Sequence, residues 1–249
     1  MTFKIPAATL VVFRRHAGRT ELLFVERAGT MSFAAGAIVF PGGRVDPGDR
    51  MLAQRFPDLD ADDAAARVAA IRETVEEAGT AIGLSGPVDA ATVAKLRVHL
   101  NDGIVFADAL AALHLEIRPE LLVPFSRWCP HAPERRTFDT RFYLAEAPDD
   151  LVMATVDQTE NVRLFWSAAQ DVIDDADAGR VKIIFPTRRN LERLAQFAGF
   201  VEAQADAIRF PPELIVPHEE DRDGVRYLCI PEDRGYPVTS EPMESAIRG

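Results

Sequence analysis

The stretch Arg72-Glu73-Thr74-Val75-Glu76-Glu77-Ala78-Gly79 constrains this chain more than any other. It closes an alanine-rich run that begins at Asp62. Alanine is the strongest helix former, Asp60, Asp62 and Asp63 suit an N-terminal cap, and Gly79 is a natural stop. The sequence therefore predicts one helix from about Asp62 to Ala78. On it Glu73, Glu76 and Glu77 stand at i, i+3 and i+4 and share one face, while Val68, Ile71 and Val75 fall on the opposite face and are expected in the core. Two like charges about 4 Å apart cost on the order of 1 kcal/mol in water and about 4 kcal/mol at an effective dielectric of 20, so the trio calls for a cation or a proton. Mg²⁺ or Mn²⁺, hard ions that take oxygen ligands, fit such a face. A glutamate-rich turn taken alone reads equally as a solvated helix face.

What decides between those readings lies upstream, at Phe40-Pro41-Gly42-Gly43. Together the two segments resemble the signature of the Nudix hydrolase superfamily: Gly, five residues, Glu, seven residues, then Arg-Glu-aliphatic-any-Glu-Glu-any-Gly-aliphatic. Gly43 is followed after five residues by Asp49, and Arg72 to Thr80 supply the second half with every charged position and the terminal glycine in place. Asp49 replaces the usual Glu, and Thr74 and Thr80 stand where aliphatic residues are expected. Twenty-two residues separate Asp49 from Arg72 instead of seven, an insertion of fifteen, expected as a loop from Arg50 to Leu59 broken at Phe56-Pro57.

A second resemblance, to the coenzyme A diphosphatase branch of that family, rests on Leu22-Leu23, Arg27-Ala28, Gly36 and Phe40 to Gly43 at the spacing of its upstream motif; Phe24 and Ser32 do not match. The run WCPHAPERRTFDTRFY from Trp128 to Tyr143 also looks like that branch, and an insertion inside the box resembles its peroxisomal members. The resemblance implies a Nudix fold, an α/β (α+β) mixed sheet sandwiched between helices. It implies Glu73, Glu76 and Glu77 as metal ligands with the backbone of Gly42 or Gly43 completing the shell, Glu73 as ligand or base, and Arg72 orienting the acids. It also implies Glu160 as a further catalytic carboxylate six residues before Trp166, and Arg27, Arg44, Arg136 and Arg141 as substrate-binding cations. The implied reaction is metal-dependent cleavage of the diphosphate linkage in a nucleoside diphosphate compound, with coenzyme A or an acyl derivative as first choice. ADP-ribose, NADH or a nucleotide sugar is the alternative, and a non-catalytic ligand sensor is the reading from another class.

Composition limits the rest. A chain of 249 residues can bury a substantial core, and 47% hydrophobic content is ordinary for a globular protein. A net charge of −11 argues against a nucleic-acid partner, which asks for a basic stripe, but does not exclude a small nucleotide once a bound cation reverses the local sign. Cys129 and Cys229, far apart and without metal-ligand spacing, read as reduced thiols of a cytoplasmic protein. The start, MTFKIPAATLVVFRR, is too short and too charged for a membrane span or signal peptide, and the final SAIRG matches no targeting address.

Along the chain, Ala7 to Arg14 and Glu21 to Glu26 are expected as a hairpin around His16 to Arg19, and Gly36 to Phe40 as a third strand. Helices are expected over Ala90 to Leu100 and Ile104 to Leu113, broken at Asn101-Asp102-Gly103, and over Ala168 to Ala178 and Pro186 to Phe197. Strands are expected over Leu121 to Trp128, Thr137 to Ala145, Asp157 to Trp166, Glu213 to Val216 and Val225 to Ile230, the last two joined through Asp221 to Gly224. The expected organisation is a single domain, 1–249, with additions at about 50–61, 90–115 and 200–249; the last either covers the core or bridges a homodimer.

Overall fold

The computed structural model describes residues 4–29, 34–130, 137–148, 151 and 161–248. Strands β1 (Lys4–His16) and β2 (Arg19–Arg27) form the expected hairpin, longer at both ends, with Ala17 and Gly18 in left-handed conformation at its two-residue turn. The two strands then diverge. The wedge between them is filled by β3 (Ile38–Val39), which pairs with β2, and β4 (Gly42–Arg44), which pairs with β1. Gly42 and Gly43 are therefore held at the fork of the sheet, between two strands whose twist has already parted them.

After β4 come α1 (Pro47–Ala53) and α2 (Ala61–Ala78). The residues expected to loop out begin instead as helix: Pro47 occupies the first turn, where its missing N–H is no loss, and the Asp46 amide donates to Asp49 Oδ2 at 2.8 Å. Helix α2 starts one residue earlier than expected, with Asp60 accepting from the Asp63 amide at 3.0 Å, and stops at Gly79 in left-handed conformation.

A small ribbon of β5 (Leu84–Ser85) and β6 (Glu116–Ile117) brackets α3 (Ala90–Asn101) and α4 (Phe106–Ala112). Strands β7 (Val123–Trp128), β8 (Thr137–Glu146) and β9 (Asn161–Ser167) complete the main sheet on its two sides, followed by α5 (Ala169–Asp177) and α6 (Phe185–Leu194). The C-terminal part adds α7 (Phe200–Arg209), β10 (Leu214–Ile215), β11 (His218–Arg222), β12 (Val225–Cys229), β13 (Ser240–Pro242) and α8 (Met243–Arg248). Among the described residues the sheet has eight strands; β1 and β8 run parallel, while β1–β2 and β7–β8 are antiparallel, so the sheet is mixed.

Both faces of the sheet are buried, and alternation along the strands assigns side chains to each. Ala8, Leu10, Val12, Leu23, Tyr143 and Ala145 pack on the alanines of α2 and on Val68, Ile71 and Val75, with α3 and α4 behind. Val11, Phe13, Leu22, Phe24, Phe142 and Leu144 pack on α5, α6 and α7. Small side chains on α2 let it lie close to β1, and that proximity brings the acidic turn to the glycine strand.

The C-terminal part covers the core: Ile215, Ile230 and Tyr236 are buried against the second face, and β10 adds to the main sheet beside β7. The expected pairing of the two tail strands is corrected here. The turn at Asp223-Gly224 joins β11 to β12, while β10 leaves for the main sheet. Helix α7 carries Val201 and Ile208 on an exposed face and turns Phe200, Ala203 and Ala207 to the core. Among the described residues no helix is long and apolar enough to cross a membrane, and both cysteines are free and buried.

Candidate active site

Arg72 organises the acidic turn. Its Nε and Nη2 donate to Asp49 Oδ1 and Oδ2, each at 2.9 Å, its Nη2 also donates to the Arg44 carbonyl at 2.9 Å, and its Nη1 donates to Glu73 and to Glu76 at 3.0 Å each. All five guanidinium N–H groups are thereby used. Burial works against the cation, but the Asp49 hydrogen bonds and the charges of Glu73, Asp49 and Glu76 outweigh it, and Arg72 is held charged. Asp49 is 1% exposed and meets Arg72 despite the insertion between them. The insertion, which supplies the end of α1, the link to α2 and the start of α2, does not break the pair.

The two glycines are steric requirements. A Cβ on Gly42 would collide with the Ala8 carbonyl and Thr9 of β1, and one on Gly43 would fall on the Glu73 carboxylate. The same close approach lets the Gly42 amide donate to Glu77 Oε2 at 2.9 Å. Glu73 thus lies against Gly43, Glu77 is tied to Gly42, and Glu76 is held by Arg72. Arg97 of α3 reaches the other side of this turn, donating from Nε to the Glu76 carbonyl at 2.8 Å and from Nη2 to the Glu77 carbonyl at 3.0 Å. Those carbonyls belong to the last turn of α2, where intrahelical donors run out.

The three carboxylates remain apart: their ligand atoms do not all lie within 4.8 Å of one another. Glu73 and Glu76 lean on Arg72, and Glu77 on the glycine strand. Burial pushes the Glu73 carboxyl up to about 8; Arg72 pulls it down, and Glu76 and Glu77 push it up again. Glu76 is raised too, by burial against the pull of Arg72. Glu73 and Glu76, both raised by burial, stand with Glu77 beside a glycine strand and offer only oxygen donors, a set that fits a hard divalent cation, which would supply the missing positive charge.

The other predicted residues divide. Arg27 is brought to the turn, with Nη1 3.9 Å from Glu77 Oε1. Arg44 contributes its backbone carbonyl to Arg72, while its side chain is exposed. Arg141 is not brought there: its Nη1 lies 3.4 Å from Asp63, at the opposite end of α2 and about 15 Å along the helix axis from Glu73. Tyr143 donates to the same Asp63 carboxylate at 2.8 Å. Arg136 and Glu160 lie outside the described residues. Trp166 is on β9 with the Arg14 guanidinium 4.2 Å over its ring. Arg97 was invisible to motif reading, because an arginine on an amphipathic helix carries no local mark of the carbonyls it will meet.

An α/β sandwich whose acidic helix turn is buttressed by an arginine and closed by a glycine strand gathers the oxygen donors that a hard divalent cation takes. No protein-family model matches the chain. The crystal structure of a NUDIX hydrolase from Alicyclobacillus acidocaldarius matches with a TM-score of 0.70 and 31% identity, over 82% of this chain and 97% of that one. The Caenorhabditis elegans protein named "Putative nudix hydrolase 7" is 27% identical over 178 residues, 71% of this chain and 56% of that protein, so the match spans about half of its length. A crystal structure of a C. elegans Ap4A hydrolase binary complex is similar over 70% of this chain and 86% of its own, at 21% identity and a TM-score of 0.36. The chain belongs to the Nudix hydrolase family.

Proposed function

We propose that the protein hydrolyses the diphosphate linkage of nucleoside diphosphate compounds in a divalent-metal-dependent reaction, with coenzyme A or an acyl derivative as substrate. The observation that carries this reading is the single arginine, Arg72, that aims Glu73 and Glu76 while Glu77 is pinned to Gly42. Glu73, Glu76 and Glu77 would hold the cation. When bound, Mg²⁺ or Mn²⁺ neutralises phosphoryl oxygens and acidifies water. Arg72 keeps two of the acids in fixed rotamers and does not itself need to touch substrate. Glu73, whose carboxyl burial pushes up to about 8, would serve as ligand or, once ionised beside the cation, as the group that takes the proton of the attacking water. Arg27, beside Glu77, is placed to meet a phosphate oxygen on the sheet side of the turn.

The coenzyme A assignment is supported by the spacing of Leu22-Leu23, Arg27-Ala28, Gly36 and Phe40 to Gly43. It is tested by metal-dependent turnover on coenzyme A, acetyl-coenzyme A, ADP-ribose and NADH. Coenzyme A should show the highest kcat/KM, and a clear preference for ADP-ribose or NADH would discard it. Glu77→Gln tests the site independently of substrate. The glutamine keeps an acceptor for the Gly42 amide and so preserves the fold, while turnover should fall by about a hundredfold. Near-normal turnover would remove Glu77 from the metal shell, and binding without turnover by the wild type on every substrate would make the chain a sensor.

A further inference from the structure

Far from the acidic turn, the C-terminal ribbon gathers three donors of a different chemistry. His218 on β11 and Cys229 on β12 are directly opposed cross-strand partners, and Glu220, two residues along from His218, projects on the same side of the ribbon. His218 Nε2 and Glu220 Oε1 are 3.1 Å apart. One ligand atom from each of His218, Glu220 and Cys229 lies within 4.8 Å of the other two, the only such group among the described residues. We propose that His218, Glu220 and Cys229 form a second metal site, for a zinc-class divalent ion, with its fourth position open to water.

The donor set makes the choice of ion. A thiolate, an imidazole and a carboxylate select zinc-like borderline ions over Mg²⁺ or Mn²⁺, which the all-oxygen turn of α2 suits. With Zn–N and Zn–O near 2.0–2.2 Å and Zn–S near 2.3 Å, tetrahedral ligands lie about 3.3–3.6 Å apart. The His218–Glu220 edge is slightly shorter than that and would open a little, and Cys229 needs to close by little more than about 1 Å. Arg222 occupies the outer side of the cluster, donating to Glu220 Oε2 from Nη2 at 2.8 Å and from Nε at 3.1 Å, and to Ser240 from Nη1 at 3.1 Å. It leaves Oε1, the oxygen that faces His218, to the ion. Burial and the neighbouring Glu220 push the Cys229 thiol up, against the pull of the Arg222 guanidinium 3.4 Å from Sγ, so the thiolate forms as the ion binds. On binding, Cys229 gives its proton to solvent, neutral His218 supplies a ring lone pair and Glu220 one carboxylate oxygen. The ion would then clasp β11 to β12 in a part of the chain that has little core of its own.

Cobalt(II) titration of the chelator-treated full-length protein in excess Mg²⁺ tests this, since Mg²⁺ occupies the oxygen site and cobalt reports a thiolate ligand. One equivalent should bind with a thiolate-to-cobalt charge-transfer band. Cys229→Ser should abolish the band, and His218→Ala, a change at an exposed side chain, should weaken cobalt binding about tenfold or more. Absence of the band in the wild type, or its survival in Cys229→Ser, would overturn the proposal. Should Cys229→Ser fail to fold, unchanged cobalt affinity in both His218→Ala and Glu220→Gln would do the same. Glu77→Gln should keep the band, which separates this site from the acidic turn of α2.

Discussion

Arg72 and Asp49 form a bidentate ion pair, two hydrogen bonds of 2.9 Å each, across twenty-two intervening residues that include most of α1 and the first half of α2. Both partners are buried, and the pair is the fixed point to which Glu73 and Glu76 are tied. Breaking it from one side takes two charge-assisted hydrogen bonds from Arg72, which keeps Glu73, Glu76 and the Arg44 carbonyl. Asp49→Ala should therefore cost about 1.5–3 kcal/mol in urea unfolding. It should also loosen Glu73 and Glu76, raising the metal concentration needed for half-maximal turnover. A loss below about 1 kcal/mol would mean that Asp49 does not anchor the turn.

The raised Glu73 carboxyl makes the metal-free protein sensitive to pH. An unfolded glutamate titrates near 4.5 and the folded one at about 8, so between those values the folded chain binds more protons than the unfolded one. Stability must then fall as pH rises through that window, by up to roughly 1 kcal/mol per pH unit from this group. Melting of the metal-free protein at pH 5.5, 6.5 and 7.5 in low salt should show the decline, and Glu73→Gln should flatten it. Mg²⁺ should recover the loss at pH 7.5 and release up to about one proton on binding at pH 7.

Arg97 links the α3–α4 addition to the chemistry of α2. Arg97→Ala would leave the Glu76 and Glu77 carbonyls without these donors and should cost about 1–3 kcal/mol. Because those carbonyls belong to two proposed metal ligands, metal affinity should drop about tenfold, with a smaller change in kcat at saturating metal. Lysine should rescue only in part, since one ammonium cannot reproduce the guanidinium's grip on both oxygens. Unaltered metal dependence in Arg97→Ala would confine the residue to stability.

Gly43→Ala gives a sharper separation of site from fold. The added methyl would meet the Glu73 carboxylate and push it from its place beside the strand, whereas the β1–β4 pairing next to it can persist. Turnover should fall at least about tenfold while the melting temperature changes little. Equal losses in Gly43→Ala and in Glu73→Gln, without further loss in the double variant, would show that both act through the one carboxylate.

Much of this arrangement is legible along the chain. The β1–β2 hairpin, the break between α3 and α4, and α2 with its cap and its stop at Gly79 rest on periodicity and turn chemistry that neighbouring residues set among themselves. What escaped reading depended on partners distant in sequence. Residues 50–53 were expected as loop because the insertion had no counterpart in the motif, yet Asp46, Pro47 and Asp49 contain the start of a helix. Arg141 was expected to bind substrate phosphate; it faces α2, but at Asp63. Strand alternation specifies a face and says nothing about how far along the facing helix a side chain will land.

By itself, the sequence determined that Glu73, Glu76 and Glu77 share one helical face opposite Val68, Ile71 and Val75, because a 3.6-residue period acts over a single turn. Only the tertiary structure decided that Asp49 would return to Arg72, that Gly42 and Gly43 would lie close enough to touch the acids, and that Arg97 would close the last turn of α2. Those contacts join residues many positions apart, and they form only when packing of α2 on β1 and divergence of β1 from β2 bring the segments together, so no local pattern announces them.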